Sequence, residues 1–135
     1  MAVSWVVAKM KWIMLVSGVL TGTMVYAAVA PQAALRSMFG ESLEGPLAEI
    51  VVRNWGALIA LVGGMLIYGA FEPLSRRLVL IVAGFSKVVF VALLVSYGRQ
   101  YIGQQAAVSI AIDLAMVPLF IIYLFATRRD GSLRA

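Results

Sequence analysis

An all-α membrane protein, an antiparallel bundle of four transmembrane helices, is the fold class this sequence predicts, and three observations predict it. Hydrophobic residues make up 63% of the 135 positions and charged residues 13%, with a mean hydropathy of +0.99, outside the mixture of a soluble domain. Four apolar runs, 12–30, 47–71, 78–97 and 106–127, match the roughly 20 residues needed to cross the hydrocarbon core. The basic residues then fall unevenly at the two ends of these runs. Together the runs form a single membrane domain, 1–135, with one longer outer loop at 31–46.

The charge count sets the threading. Lys9, Lys11, Arg76, Arg77, Arg128, Arg129 and Arg134 collect on one side; Arg36 and Arg99, beside Glu41 and Glu44, lie on the other. Cytoplasmic loops carry the excess of Lys and Arg, so both termini are expected in the cytoplasm, and a short polytopic chain of this kind suits a bacterial inner membrane. The net charge of +5 therefore reflects topology rather than a nucleic-acid surface. Absence of Cys and His removes disulfides, thiol nucleophiles, haem ligation and the usual zinc sites, and no metal site is predicted.

Each span has local signals. The first resembles a signal peptide, with Lys9 and Lys11 before an apolar run ending "AAVAP", but Pro31 at the cut disfavours cleavage and the run reads as a retained helix. In the loop "PQAALRSMFGESLEGP", Ala34, Leu35, Met38 and Phe39 recur at helical spacing until Gly40, predicting a short interfacial helix; an irregular loop over the bundle mouth is the alternative, and either acts as a lid. Pro46 opens the second span where its missing N–H is harmless, near Glu44 and Glu49 at the positive end of the helix dipole. Small residues recur every fourth position at Gly18 and Gly22, at Gly56, Ala60 and Gly64, and at Ala107, Ala111 and Ala115. Such faces suit close packing within one bundle or a homo-oligomer interface. Trp12, Tyr97, Tyr101 and Tyr123 fall near span ends as interface anchors.

The polar residues inside the spans define the candidate site. At 1.5 Å per residue, Lys87 lies about 15 Å below the outer end of the third span and Asp113 about 10 Å below that of the fourth, close enough in depth to pair. Arg53 and Asn54 lie about 9–10 Å below the same surface, with Glu49 one turn before Arg53 at the spacing that pairs best on a helix. Arg53, Asn54, Lys87 and Asp113 are therefore expected to converge. Unpaired at depth, each charge costs roughly 2.5–3.5 kcal/mol, so they must meet one another or water. Closed pairs that set helix register are one reading. The other is a cavity floor where a ligand head group exchanges with Asp113, Trp55 lining the cavity or facing lipid and Pro118 adding helix irregularity nearby.

A first helix ending in proline, then "MFGESLEG", then "VVRNWGALIALVGGMLIYGA" with Arg53, Gly56, Gly63 and Gly64, resembles the DoxX-like group of small four-helix bacterial membrane proteins. Some members of that group are linked to quinone-coupled sulfur oxidation, and the resemblance carries over no catalytic residue. The expected function is a non-enzymatic inner-membrane protein that binds a lipid-like or small amphipathic ligand in an outward-facing polar pocket, or a membrane subunit of a larger complex. The alternatives are a quinone-linked redox or other enzyme subunit using Asp113 as proton carrier with Lys87 or Arg53 holding an anion, and a small dimeric transporter or channel. No cofactor is predicted, though the pocket is compatible with a bound lipid or quinone. Membrane lipids are the expected partners, and nucleic acid is not.

Overall fold

The computed structural model describes residues 2–103 and 105–127; Arg128, Arg129 and Arg134 lie outside them. The chain forms α1 (Ala2–Gly22), α2 (Val25–Val29), α3 (Pro31–Phe39), α4 (Pro46–Phe71), α5 (Pro73–Tyr97), a 3-10 turn at Arg99–Tyr101, and α6 (Gln105–Ala126), with no strand among the described residues. Four stretches are long and apolar enough to cross a membrane: Val3–Val29, Pro46–Phe71, Pro73–Tyr97 and Ala106–Ala126. The protein is an all-α bundle. α1 packs against α4 and α6, and α5 packs against the same two, so α1 and α5 face each other across the diagonal.

Proline sets three of the helix starts. α3, α4 and α5 each open on Pro, whose lost N–H has no partner in a first turn anyway. The proline ring pushes the preceding residue out of the helical region. Glu72 is accordingly extended, Ala30 lies outside the helical region at φ −131°, ψ 72°, and Gly45 adopts φ 107°, which a side chain would strain. Glu72 alone joins α4 to α5, which makes these two neighbours antiparallel. Gly40 ends α3 in the left-handed region at φ 80°, as its place after the amphipathic run anticipates.

Two spans start earlier than their hydropathy suggests. α1 begins at Ala2 rather than near Trp12, because Val6 and Met10 are buried in the core and helix continues beneath Lys9 and Lys11. Lys11 keeps its ammonium out of the core by lying over the rings of Phe71 and Trp12, 4.9 and 5.5 Å from their centroids. α5 begins at Pro73 rather than Leu78, taking Arg76 and Arg77 into its first turns. There Arg76 donates to the carbonyls of Gly69 (3.0 Å) and Ala70 (2.8 Å), and Arg77 to that of Leu124 (3.1 Å). The last carbonyls of a helix have no intrahelical donor, so α5 supplies charged donors to the ends of α4 and α6.

The first span is broken. Met24 N–H bonds back three residues to Thr21, and the Thr23 hydroxyl donates to the Leu20 carbonyl at 2.5 Å, so α1 tightens and α2 restarts at Val25. The redirected α2 lies on α4 at Gly56, where an added Cβ would come 2.6 Å from Ala27 Cβ. Below the break, α1 and α4 meet through Gly18 and Gly63; a Cβ on Gly63 would lie 2.5 Å from Gly22 N. The contact therefore uses Gly56 and Gly63, seven apart, and Gly64 of the expected four-residue stripe faces open space. Seven residues fall only about 20° short of two turns, whereas eight overshoot by about 80° and leave the seam. On α6, Ala107 is half-buried and Ala111 and Ala115 are exposed.

The interior divides along its length. At the end away from α3 the core is solid, with Met10, Met14, Leu66, Leu80 and Phe120 fully buried. At the other end a smaller cluster of Leu94, Ala106 and Ile110 packs with Phe39 and Tyr101. α3 lies over that end in contact with α2, α4 and α6, burying Ala34, Leu35 and Met38, with Phe39 half-buried and Arg36 exposed. Gln32 holds the following loop by donating to the Leu43 carbonyl at 2.6 Å.

Gly63→Ala is expected to lower stability by about 1–3 kcal/mol, because its methyl meets backbone that cannot step aside. Gly64→Ala, on the open face, is expected to be neutral or to raise stability by up to about 1 kcal/mol through helix propensity. Thermal unfolding of the two variants in the same detergent checks the difference, and equal melting points would place the helix contact elsewhere.

Candidate functional site

Lys87 and Asp113 meet inside the bundle. Lys87 Nζ lies 2.9 Å from Asp113 Oδ1, and each residue is 8% exposed. Their neighbours explain the position. Lys87 belongs to the buried face of α5 with Val79, Leu80, Ala83 and Leu94, and seven residues separate Leu80 from Lys87 and Lys87 from Leu94. Asp113 follows buried Ile110 by three residues on α6. A lysine stem of four methylenes carries the ammonium over the apolar packing to the carboxylate. The same ammonium donates across the diagonal to Thr21 Oγ1 on α1 at 3.2 Å, so three helices share one cation.

The pair lines open space. A cavity of about 170 Å³ lies between the solid core and α3, bounded by Thr21, Thr23 and Met24 at the break after α1, Met38 of α3, Trp55, Ile59 and Val62 of α4, Ser86, Lys87 and Phe90 of α5, and Ser109, Ile112 and Asp113 of α6. That volume matches five or six waters at about 30 Å³ each. Four hydroxyls, from Thr21, Thr23, Ser86 and Ser109, join the ion pair on its wall. The apolar remainder keeps the local dielectric low, which strengthens every polar contact made there.

Arg53, Asn54 and Glu49 do not join this site. Arg53 Nη2 pairs with Glu49 Oε1 at 2.7 Å, with both side chains 44–46% exposed. Its Nη1 donates to the Ala28 and Val29 carbonyls at 2.6 and 3.3 Å, capping α2. The expected convergence of four groups is therefore two separate arrangements, because equal depth along helices does not fix their rotation about the axis. Arg53 precedes Gly56 by three residues and so shares the α4 face on which α2 lies, whereas Trp55, Ile59 and Val62 make the cavity face. Asn54 lies on the exposed side of α4. Trp55 is half-buried on the cavity wall, its ring 6.1 Å from that of Phe39. Leu114 and Pro118 both fall on the exposed side of α6, so the proline adds nothing to the cavity.

The hydroxyls are what a search for charges overlooks. Their signal is spacing: Ser109 precedes Asp113 by four residues and Ser17 precedes Thr21 by four, each pair on one helix face. Ser17 is 1% exposed and its hydroxyl has no hydrogen-bond partner. Among the described residues no three His, Cys, Asp or Glu side chains converge to hold a metal.

Two sets of variants check this geometry. Lys87→Met and Asp113→Asn are each expected to lose about 3–5 kcal/mol, since either strands a buried partner, and the double variant is expected to recover most of it. Additive losses in the double variant would show that the two groups do not interact. Ser17→Ala is expected to raise stability by about 1 kcal/mol, removing a buried hydroxyl that lacks a partner, and a comparable loss in an unfolding titration would contradict that.

Comparison with known proteins leaves these roles resting on geometry: no protein-family model matches the chain, and neither a curated protein nor a solved structure matches it.

Proposed function

We propose that this chain is a non-enzymatic binding protein of a bacterial inner membrane that holds the polar part of a small amphipathic molecule in the Lys87–Asp113 cavity. In this reading both termini are cytoplasmic and α3 covers the mouth on the outer side. The supporting charge pattern is Lys9, Lys11, Arg76 and Arg77 at one end of the bundle, with Arg36, Arg99, Glu41 and Glu44 at the other.

One observation carries the reading: a buried ion pair beside about 170 Å³ of space edged by four hydroxyls. A pair needed only for register is best served by tight apolar packing around it, since open space forfeits dispersion contacts. Polar groups facing a space of this size are instead suited to a polar occupant. Binding fits the residues, because the ammonium and the carboxylate hold each other in place while Lys87 keeps one N–H and Asp113 keeps Oδ2 for the polar part of an occupant. α3, with Met38 on the cavity wall and Arg36 turned away from it, serves as a lid.

Native mass spectrometry after gentle detergent extraction is the test. The expected result is a reproducible adduct of lipid-like mass that disappears in the Lys87→Met/Asp113→Asn double variant. Bare protein under all conditions, or an adduct that the double variant retains, would overturn the reading and leave the ion pair as a packing device.

A further inference from the structure

Beside the polar cavity lies a second hollow of different character. A groove of about 340 Å³ runs between α4 and α5 under the end of α3, lined by Leu35, Val51, Val52, Leu93, Leu94 and neighbouring aromatic residues. Among the described residues no ionisable group but the Tyr97 phenol lines it. Two side chains, Trp55 and Phe90, belong to both hollows and are their shared wall. The partition is thus built from side chains of facing helices, which change rotamer without moving backbone. Trp55 is only half-buried.

Resting on the proposed binding function, we infer that the occupant is a zwitterionic lipid. Its head group, carrying one ammonium and one anionic group, sits in the cavity, and one of its acyl chains passes between Trp55 and Phe90 into the α4–α5 groove. Size gives the first argument. The cavity holds a head group but is smaller than the roughly 300 Å³ at which pockets begin to enclose drug-sized ligands, so any chain must lie outside it. The adjoining apolar groove is continuous with the cavity wall and chemically matched to a chain.

Charge gives the second argument. Among the described residues, Lys87 and Asp113 are the only acidic or basic side chains on the cavity wall, and their formal charges sum to zero. A net anion would satisfy Lys87 while setting a second negative charge against Asp113, and a net cation would do the converse. A molecule bearing both signs inserts as a second ion pair, with its ammonium on Asp113 and its anion on Lys87, and leaves no buried charge alone. Spare valences exist for this. Lys87 has three N–H donors and uses two, on Asp113 and Thr21. Asp113 engages Lys87 through Oδ1, and Oδ2 accepts no hydrogen bond from the described residues.

The test uses Trp55 as reporter. Trp5→Phe and Trp12→Phe remove the other two tryptophans, both exposed and remote from the cavity. The full chain is placed in phosphatidylglycerol nanodiscs and titrated with acyl-brominated phosphatidylethanolamine or acyl-brominated phosphatidylglycerol. The zwitterionic lipid is expected to quench Trp55 at about ten-fold lower concentration than the anionic one, the scale of leaving one charge imperfectly paired. In the Lys87→Met/Asp113→Asn background that preference should vanish, with the two lipids quenching at the same concentration. Free phosphoethanolamine should not displace the quencher at concentrations matching the lipid. Equal quenching by the two lipids, a preference that survives in the double variant, or equal displacement by the free head group would each overturn the inference. If native mass spectrometry still shows an adduct dependent on Lys87 and Asp113, that failure concerns the ligand's charge or chain alone; if no adduct exists, the binding function itself fails.

Discussion

A lysine ammonium and an aspartate carboxylate carried on apolar helices cannot be left facing hydrocarbon, and their contact organises this bundle. Lys87 and Asp113 lie on successive spans, so satisfying both fixes how far α5 and α6 slide and how each rotates about its axis. The additional bond to Thr21 extends that constraint to α1 on the far diagonal. An apolar interior permits many nearly equivalent packings, whereas a 2.9 Å ion pair permits few. The cavity follows from the same contact. Side chains reaching inward for one another hold the helices around space that smaller hydroxyl residues do not fill.

Helix ends present a related problem, met with arginine. Every helix leaves carbonyls without donors at its C-terminus, and in a membrane protein water is not always at hand to supply them. Arg53 serves α2, Arg76 serves α4 and Arg77 serves α6, each from a neighbouring helix. Two of these residues also belong to the basic excess at one end of the bundle. Charges gathered at one end of the bundle thus also cap helices there, and Arg53 is withheld from the cavity because α2 and Glu49 already occupy its donors.

The division into a solid and a hollow half gives the proposed binding a mechanical logic. Close glycine contact of α1 with α4 and the fully buried methionine and phenylalanine core make one end rigid. Toward α3 the first span breaks, α2 diverts onto Gly56, and the wall of the cavity is left to side chains and to Met38 of the nine-residue α3. A packed core beneath and a short covering helix above suit the proposed ligand-receiving site.

Much of this architecture was legible in the residues. Composition and run length determine four membrane-spanning helices, because the hydrocarbon thickness sets a length and its polarity sets a composition. Pro31, Pro46 and Pro73 and the glycines at 40 and 45 mark helix limits through backbone sterics alone. The Glu49–Arg53 pair follows from helical spacing. Rotation about each helix axis was not legible. Depth can be counted along a sequence, but whether Arg53 or Trp55 turns toward the cavity depends on which neighbour α4 packs against, and that is settled by long-range contacts at Gly56 and Gly63. Only the tertiary structure therefore separates Arg53 from Lys87, adds Thr21 and the serine hydroxyls to the site, and sets a polar hollow beside an apolar one.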